Sequence, residues 1–485
     1  MTQKKYEPTL ESLNAHPIPE WYDDAKFGIF IHWGMWAIPG FAAKGGNISD
    51  AFKNDYDRAV AMTPYTEWYW NAIKVPGTPS AEFHKKMYGD APYQSFKEPF
   101  IEGLKHWDPA QWAESFRDAG AKYVVLVTKH HDGFCLWPSK VANRHEKGWT
   151  TERDIVGELA RAVRAAGMRF GVYYSGGIDW SFNREPLRTI SDFMGSMPGG
   201  DYPAYAMAQT RELIERYEPS VLWNDISWPT GGDELFELFA DYYNAVPEGV
   251  VNDRWIHASL RGKIMRLKAA RRVMDYFAKR HIRKNPKSIE GVIPAVVPHS
   301  DFRTPEYARF ADIKKKKWEA TRGMSHSFGF NRNDRDEDYA PAEQLLSDFI
   351  DGVSKNGNLL LNVGPRATDA GIPDEQLSRL KTFGAWLRAN GEAVYGTRPW
   401  TQASAETAEG LSVRFTRKGE AINIIMLGSP SGSDFRIANV TLAGEGRLLA
   451  DGSPVTLQSE GGDLLLSFRA PLKGDFAPAI RVTPA

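Results

Sequence analysis

The feature that most constrains the fold is a repeated alternation between short, almost wholly apolar runs and stretches of helical periodicity. The apolar runs at 123–128, 170–174 and 221–223 each end in polar residues, and helix-like segments separate them. Strands that are apolar on both faces are typical of a parallel sheet covered by helices. The pattern therefore predicts an α/β protein, and 485 residues of which 42% are apolar can bury a large core.

Seven candidate strands follow from this pattern. They centre on Ile29, Val125, Val172, Leu222 and Val251 and on the later runs 325–330 and 359–363. A (β/α)8-like barrel accommodates such a series best, with an open doubly wound sheet as the alternative. Neither standard glycine-rich phosphate loop occurs in the chain, which favours the barrel. We expect the barrel domain to span residues 1–395.

The chain changes character after Gly396. Short alternating runs at 411–415, 421–426, 435–442, 464–468 and 479–482 are separated by turns that contain Gly and Asp. This spacing is typical of a small antiparallel β-domain. We therefore predict a β-sandwich domain at 396–485, following a helix at 374–390 that closes the barrel.

A strongly basic stretch interrupts the barrel pattern. Residues 261–287 contain eleven Lys or Arg and one Asp, and apolar residues recur there at helical spacing from Leu267 to Phe277. This composition predicts a basic amphipathic helix within an insertion at about 256–296. A surface helix or a subunit contact is favoured over a site for an anionic ligand or a membrane, so a homo-oligomer is possible.

Composition excludes several other functions. The formal net charge of −1 argues against nucleic acid as a partner, and the single cysteine, Cys135, excludes an internal disulfide. Residues 1–20 lack the apolar core of a secretory signal, and no run approaches the ~18 apolar residues of a membrane span. We therefore expect a cytoplasmic protein without a membrane partner. Sixteen tryptophans fit either a Trp-rich core or flat faces that bind sugar rings.

Polar residues at the ends of the predicted strands indicate where the chemistry occurs. They are His32, His130, His131, Asp132, Asp179, Asp225, Asp253 and Arg254. In a barrel they would gather at one mouth, where they could either ligate a metal for hydrolysis or supply two carboxylates for cleavage of a glycoside. Because adjacent histidines project divergently from extended backbone, His130 and His131 are poorly placed to share one metal. The metal-dependent reaction therefore ranks second.

Several segments together resemble one known family. They are the runs 26–34, 67–69, 129–134, 170–175, 222–225, 252–255 and 355–365. In this order they resemble the α-L-fucosidases of glycoside hydrolase family 29, from about Trp21 to Trp400. The resemblance implies a retaining exo-α-L-fucosidase that needs no cofactor or metal and removes terminal α-L-fucose from fucosylated glycans or small fucosides. A metal-dependent hydrolase and a non-enzymatic fucose-binding protein are the alternatives.

The resemblance also implies roles for individual residues. Asp225 would be the nucleophile and Glu306 the general acid/base, with Glu67 as the rival for the second role. The residues implied to bind fucose or flank the nucleophile are His32, Glu67, Trp68, His130, His131, Tyr173, Trp223, Arg254 and Phe328, the last near the sugar methyl group. We expect Arg254 and the histidines to keep Asp225 ionised, while the charge of Asp225 and apolar surroundings raise the pKa of Glu306.

Overall fold

The structure is a computed structural model, and it describes residues 5–44, 48–257, 264–265, 267–285, 296–307 and 310–484. Its helices are α1 Leu10–Asn14, α2 Glu20–Ala25, α3 Ile48–Asn54, α4 Tyr69–Ala72, α5 Pro79–Tyr88, α6 Lys97–Gly103, α7 Pro109–Asp118, α8 Ile155–Ala165, α9 Ile190–Met194, α10 Tyr202–Tyr217, α11 Asp233–Ala245, α12 Lys268–Lys284, α13 Ala342–Ser354 and α14 Asp374–Asn390. Its strands are β1 Phe27–Ile31, β2 Tyr123–Lys129, β3 Arg169–Ser175, β4 Val221–Asp225, β5 Val250–Val251, β6 Trp318–Gly323, β7 Gly357–Val363, β8 Arg398–Glu406, β9 Ser412–Lys418, β10 Ala421–Leu427, β11 Ser431–Ile437, β12 Glu445–Leu448, β13 Pro454–Glu460, β14 Asp463–Lys473 and β15 Ala479–Thr483.

Strands β1 to β7 form one parallel sheet in the order β5-β4-β3-β2-β1-β7-β6. Every residue of β1, β2, β4 and β7 is buried, which explains their apolar sequences. Helices such as α7, α8 and α10 cover the outside of this sheet and present their apolar faces to it. The predicted (β/α)8-like barrel is confirmed.

An extended segment at 301–306 lies between the two edge strands of this sheet. The Asp301 backbone N–H donates to the Val251 carbonyl of β5 at 2.9 Å. On the other side, the Arg303 N–H donates to the Lys317 carbonyl at 3.0 Å, and the Glu319 N–H of β6 donates back to the Arg303 carbonyl at 2.8 Å. The segment therefore occupies the place of an eighth strand and brings Glu306 to the barrel.

One predicted strand was wrong. Residues 325–330 form an irregular segment with bends rather than a strand, and the strand that pairs with β7 is β6, just before them. Strand β6 escaped the apolar pattern because it carries Glu319 and Arg322 within six residues. The long segment 41–107, between β1 and β2, contains the short helices α3 to α6.

The eight strands after the barrel form one antiparallel sheet in the order β11-β14-β13-β12-β15-β10-β9-β8. The two edges of this sheet meet, because the Ala408 N–H donates to the Arg436 carbonyl at 2.8 Å and the Ala438 N–H donates to the Glu406 carbonyl at 3.3 Å. A separate apolar core that includes Phe415, Ile424 and Leu466 fills the space inside. The sheet thus folds over its own core as the predicted sandwich does, whereas the domain limits at 395 and 396 stay a prediction.

The basic stretch does form a helix, α12, which packs against α9 and α3. Its buried side is not the expected one: Ile282 is buried, whereas Phe277 and Leu267 are 62% and 63% exposed. Much of the predicted insertion, including 258–263 and 286–295, lies outside the described residues. Within the described part of the chain, no helix is both long and apolar enough to cross a membrane.

Candidate active site

A cavity of about 130 Å³ opens at the carboxyl ends of the barrel strands. Its lining includes all eleven residues that the sequence predicted for the site: His32, Glu67, Trp68, His130, His131, Tyr173, Trp223, Asp225, Arg254, Glu306 and Phe328. The barrel thus brings together residues that lie almost 300 positions apart in the chain. Their individual roles stay predictions.

Asp225 is the last residue of β4, and its carboxylate is held from three directions. The Tyr173 hydroxyl donates to Oδ2 at 2.7 Å, while Arg254 Nη1 and the Ile226 backbone N–H donate to Oδ1 at 2.9 Å and 2.8 Å. Burial by itself raises the pKa of Asp225, but the Arg254 charge and these hydrogen bonds outweigh burial and leave the pKa below its ordinary value. Asp225 is therefore ionised at neutral pH.

Arg254 connects Asp225 to the second carboxylate. Its Nη2 lies 2.6 Å from Glu306 Oε1, while Thr304 fixes the guanidinium by accepting from Nε at 3.0 Å and from Nη2 at 3.1 Å. Burial is the largest influence on Glu306 and raises its pKa; Arg254 opposes this and the charge of Asp225 adds to it, so the pKa stays raised. One buried cation thus holds two carboxylates of opposite pKa shift, the pattern of an acid/base pair.

Glu67 and Trp68 lie on a short 3-10 helix, Thr66–Trp68, within the segment that precedes the first crossover. The backbone N–H of Gly329 donates to Glu67 Oε2 at 3.0 Å. Burial raises the pKa of Glu67 to about 7, with a further contribution from the charge of Glu306. Glu67 can therefore carry a proton near neutral pH, and by this criterion it remains a rival to Glu306.

His32 follows β1, and its hydrogen bonds determine which of its ring nitrogens carries the proton. Asn362 Nδ2 donates to the Phe328 carbonyl at 2.5 Å, so Asn362 Oδ1 is left to accept from His32 Nδ1 at 2.5 Å. Burial lowers the pKa of His32 to about 4. The imidazole is therefore neutral at pH 7, and its Nε2 can accept a hydrogen bond from a ligand.

His131 shows the same arrangement with different partners. Ser175 Oγ donates to the Ile178 carbonyl at 2.7 Å and therefore accepts from His131 Nδ1 at 2.7 Å. Burial lowers the pKa of His131 to about 3 and also lowers the pKa of His130 well below its ordinary value. The Nδ1 atom of His130 is buried and has no hydrogen-bond partner among the described residues.

The expected divergence of the two adjacent histidines was wrong. The ring centroids of His130 and His131 are only 3.9 Å apart, because the chain has already left the extended conformation of β2 at this point. Among residues that the structure describes, no group of three or more His, Cys, Asp or Glu side chains could hold a metal ion.

Three other carboxylates at strand ends are not part of the cavity. Asp132 accepts from the Tyr93 hydroxyl at 2.8 Å, and Asp179 forms a fully buried ion pair with Lys129 at 2.8 Å. Asp253 accepts from the Thr304 hydroxyl at 2.7 Å. Their partners are all protein groups, so these three support the loops around the cavity rather than face it.

Five lining residues were missed by the sequence analysis: Phe30, Tyr65, Phe193, Ile226 and Thr321. Strand alternation could have found Phe30, which shares a face of the chain with His32 two positions later. Ile226 directly follows Asp225 and has a φ of 69°, an uncommon conformation for a β-branched residue.

Comparison with known proteins bears on the identity of this site. A sequence profile described as Alpha-L-fucosidase matches residues 1–392. This chain belongs to the α-L-fucosidase family. It is 31% identical to the tissue alpha-L-fucosidase of Bos taurus over 434 residues, which cover 88% of this chain and 78% of the relative.

Solved structures of the α-L-fucosidase family share the complete fold. The alpha-fucosidase of Thermotoga maritima in complex with a mechanism-based inhibitor is 41% identical, has a TM-score of 0.83, and is matched over 99% of this chain and 100% of that chain. An isoenzyme from Paenibacillus thiaminolyticus is 27% identical with a TM-score of 0.66, over 96% of this chain and 98% of that chain. The prediction of a glycoside hydrolase of this family is confirmed.

Proposed function

We propose that this chain removes terminal α-L-fucose from fucosylated glycans or small fucosides with retention of anomeric configuration. The observation that carries the proposal is the guanidinium of Arg254, which binds both Asp225 and Glu306 at the end of a cavity of about 130 Å³. Retaining glycosidases need two carboxylates close together, one ionised and one protonated. The opposite pKa shifts of Asp225 and Glu306 supply this difference.

In the first step, an Asp225 oxygen forms a bond to the anomeric carbon while the bond from that carbon to the leaving oxygen breaks. Glu306 transfers its proton to the leaving oxygen. In the second step, water attacks the anomeric carbon, Glu306 accepts the proton from the water, and the bond to Asp225 breaks. Two inversions at the same carbon give net retention.

The charge of Asp225 regulates Glu306 between these steps. While Asp225 is ionised, its negative charge helps to raise the pKa of Glu306, which favours the acid form. When Asp225 is esterified it carries no charge, so the pKa of Glu306 falls and its carboxylate becomes the base for the second step. Arg254 remains in contact with Glu306 and stabilises that carboxylate.

The remaining polar side chains suit the hydroxyl groups of a sugar. His32 and His131 are neutral and each offers Nε2 as an acceptor. The ring of Phe328 lies 4.9 Å from that of His32 and provides an apolar wall for the methyl group of fucose. The cavity therefore combines polar and apolar contacts of the kind that a deoxy sugar requires.

The primary experiment measures nitrophenol release from 4-nitrophenyl α-L-fucoside, with EDTA present, by the wild type and by Asp225→Gly. We expect turnover by the wild type and near-complete loss in the variant. Added azide should rescue the variant and yield β-fucosyl azide, because azide attacks the face that Asp225 no longer occupies. A wild type that EDTA inactivates would favour the metal-dependent alternative, and fucose binding without turnover would favour a binding protein.

A second experiment separates Glu306 from its rival. Glu306→Ala should lose the basic limb of the pH profile, and azide should restore its activity with retention. Glu67→Ala should weaken substrate binding but keep the basic limb. If the two results are exchanged, Glu67 is the acid/base.

The proposal also includes the location of the protein, its oligomeric state and its domain limits. We propose a cytoplasmic location, which the single buried thiol of Cys135 fits, and a homo-oligomer whose size gel filtration coupled to light scattering would give. We also propose domain limits of 1–395 and 396–485. Limited proteolysis between Asn390, where α14 ends, and Arg398, where β8 begins, would test those limits.

A further inference from the structure

The catalytic cavity is large enough for one sugar ring only, so the rest of a substrate must leave it through the mouth. Twelve of its sixteen lining residues are buried, and the four that are partly exposed are Tyr65, Phe193, Ile226 and Glu306. Glu306 is the group proposed to protonate the leaving oxygen. The leaving group therefore passes between these four side chains.

A second, larger groove begins on the other side of α9. It has a volume of about 520 Å³, and its lining includes Asp192, which precedes Phe193 in α9, and Gly195, which directly follows the end of α9 at Met194. Phe193 lines the catalytic cavity, whereas Asp192 lines the groove. Helix α9 is thus the wall that the two spaces share.

The basic helix α12 forms the far wall of this groove and holds α9 in place. Lys268 and Arg271 line the groove. Arg271 Nη1 donates to Asp192 Oδ1 at 3.0 Å, while Asp275 Oδ2 accepts from the hydroxyls of Ser191 at 2.6 Å and Thr189 at 3.1 Å. The position of Phe193 at the mouth therefore depends on contacts made by the insertion.

The chemistry of the groove suits a saccharide. Carboxylates from Glu185 and Asp201 and the ammonium of Lys268 can exchange hydrogen bonds with sugar hydroxyls. The partly exposed ring of Phe182 provides a flat apolar surface against which a pyranose can pack. The lining contains three carboxylates and two cations, and this small acidic excess favours a neutral polyhydroxylated ligand over an anion.

We infer that this groove binds the saccharide to which fucose is attached, and that the insertion helix α12 thereby selects the leaving group. The inference rests on the proposed fucosidase activity. It assigns Lys268 and Glu185 as specificity residues and Arg271 and Asp275 as positioning residues for α9. A small aromatic leaving group needs only the mouth, whereas a fucosylated oligosaccharide also occupies the groove.

The test compares two substrates, 4-nitrophenyl α-L-fucoside and a trisaccharide in which α-L-fucose is linked to lactose. The variant Lys268→Ala/Glu185→Ala removes two exposed side chains, so it should fold normally. We expect its kcat/KM for the trisaccharide to fall about 10-fold, the equivalent of one or two lost hydrogen bonds, with kcat/KM for the nitrophenyl substrate unchanged.

Lys284→Ala is the matched control, because it removes the same charge from the same helix about 24 Å away. It should alter neither substrate. Equal changes for both substrates in the double variant, no change for either, or a wild type that cleaves only the nitrophenyl substrate would overturn the inference. A wild type inactive on both substrates would instead overturn the proposed activity itself.

Discussion

The interior of the barrel contains two layers of carboxylates that differ in what surrounds them. The upper layer is the catalytic cavity, with Asp225 and Glu306. The lower layer contains Glu319, which lies on β6 two residues before the cavity residue Thr321 and so faces the same interior, one layer nearer the amino ends of the strands. Burial raises the pKa of Glu319 to about 7.

The difference lies in the number of partners that the protein itself supplies. Glu319 accepts from the hydroxyls of Tyr22 at 2.9 Å and Tyr123 at 2.6 Å, and from Trp223 Nε1 at 3.2 Å. The upper layer keeps an acceptor open on each of two histidines, because the Nδ1 atoms of His32 and His131 are already bonded and their Nε2 atoms are not. A completed hydrogen-bond set stabilises a fold, and an incomplete one is available to a ligand.

The largest loss of activity is expected for Arg254→Met. Loss of the buried cation leaves the carboxylates of Asp225 and Glu306 without a counter-charge. Removing one partner of a buried ion pair lowers the free energy of unfolding by about 3–5 kcal/mol. We expect kcat/KM to fall about 10³-fold. Because Arg254 is the main group that opposes the effect of burial, the pKa of Asp225 rises in this variant and the acidic limb of the pH profile moves to higher pH.

The control for this prediction is Arg303→Met. Arg303 lies 3.4 Å from Asp253, outside the catalytic cavity, and its removal also deletes one positive charge beside the closing segment. It should leave both kcat/KM and the acidic limb close to those of the wild type. An acidic limb that does not move in Arg254→Met would show that Arg254 does not control the ionisation of Asp225.

The lower layer should respond to mutation mainly through stability. Glu319→Ala leaves three buried donors without an acceptor and also creates a cavity, so we expect the free energy of unfolding to fall by about 3 kcal/mol or more. Tyr123→Phe removes only one of the hydrogen bonds and should cost about 1 kcal/mol. Urea denaturation measures both; equal losses for the two variants would contradict a central role for Glu319.

The same carboxylate explains why part of the fold escaped prediction. Apolar runs identify strands whose two faces are both apolar, and β1, β2, β4 and β7 satisfy that condition. Strand β6 carries Glu319 toward the barrel interior, so its sequence is not an apolar run. The strand was therefore predicted at the residues that follow it, 325–330. The partners of Glu319 come from β2, β4 and α2, and no local pattern reveals them.

Local sequence patterns likewise identified only some of the residues in the candidate site. Asp225 and His32 could be found because they end recognisable strands, and Glu306 through a family resemblance. Phe193 could not, because it lies on the five-residue helix α9, far in sequence from any strand end. Its place in the cavity follows from tertiary contacts between α9 and α12, which depend on Arg271 and Asp275 in a stretch that composition alone marks only as basic.

A smaller change in stability is expected when the pH changes only the protonation state of Glu319. Its pKa is about 7 in the folded protein and 4.5 in the unfolded reference, so the folded state binds the proton more tightly. The tighter proton binding stabilises the folded state. This contribution is complete below pH 4.5 and is lost as the pH rises through 7. The stability of the wild type relative to Glu319→Gln, from urea denaturation at several pH values, should therefore decline across this range. A difference that grows with pH would show that Glu319 is ionised in the folded state.

The smallest effect should come from an upper-layer residue that never touches the substrate. Ser175→Ala removes the acceptor that keeps the proton on His131 Nδ1, so Nε2 is no longer held as the free acceptor. We expect kcat/KM for 4-nitrophenyl α-L-fucoside to fall between about 3-fold and 10-fold, the value of one hydrogen bond, without loss of thermal stability beyond that of the control. Ser181→Ala is that control, because Ser181 is also buried but donates to Asp179 outside the cavity. If both variants lose the same activity, the hydroxyl of Ser175 acts through packing. The tautomer of His131 would then not contribute to substrate binding in the upper layer.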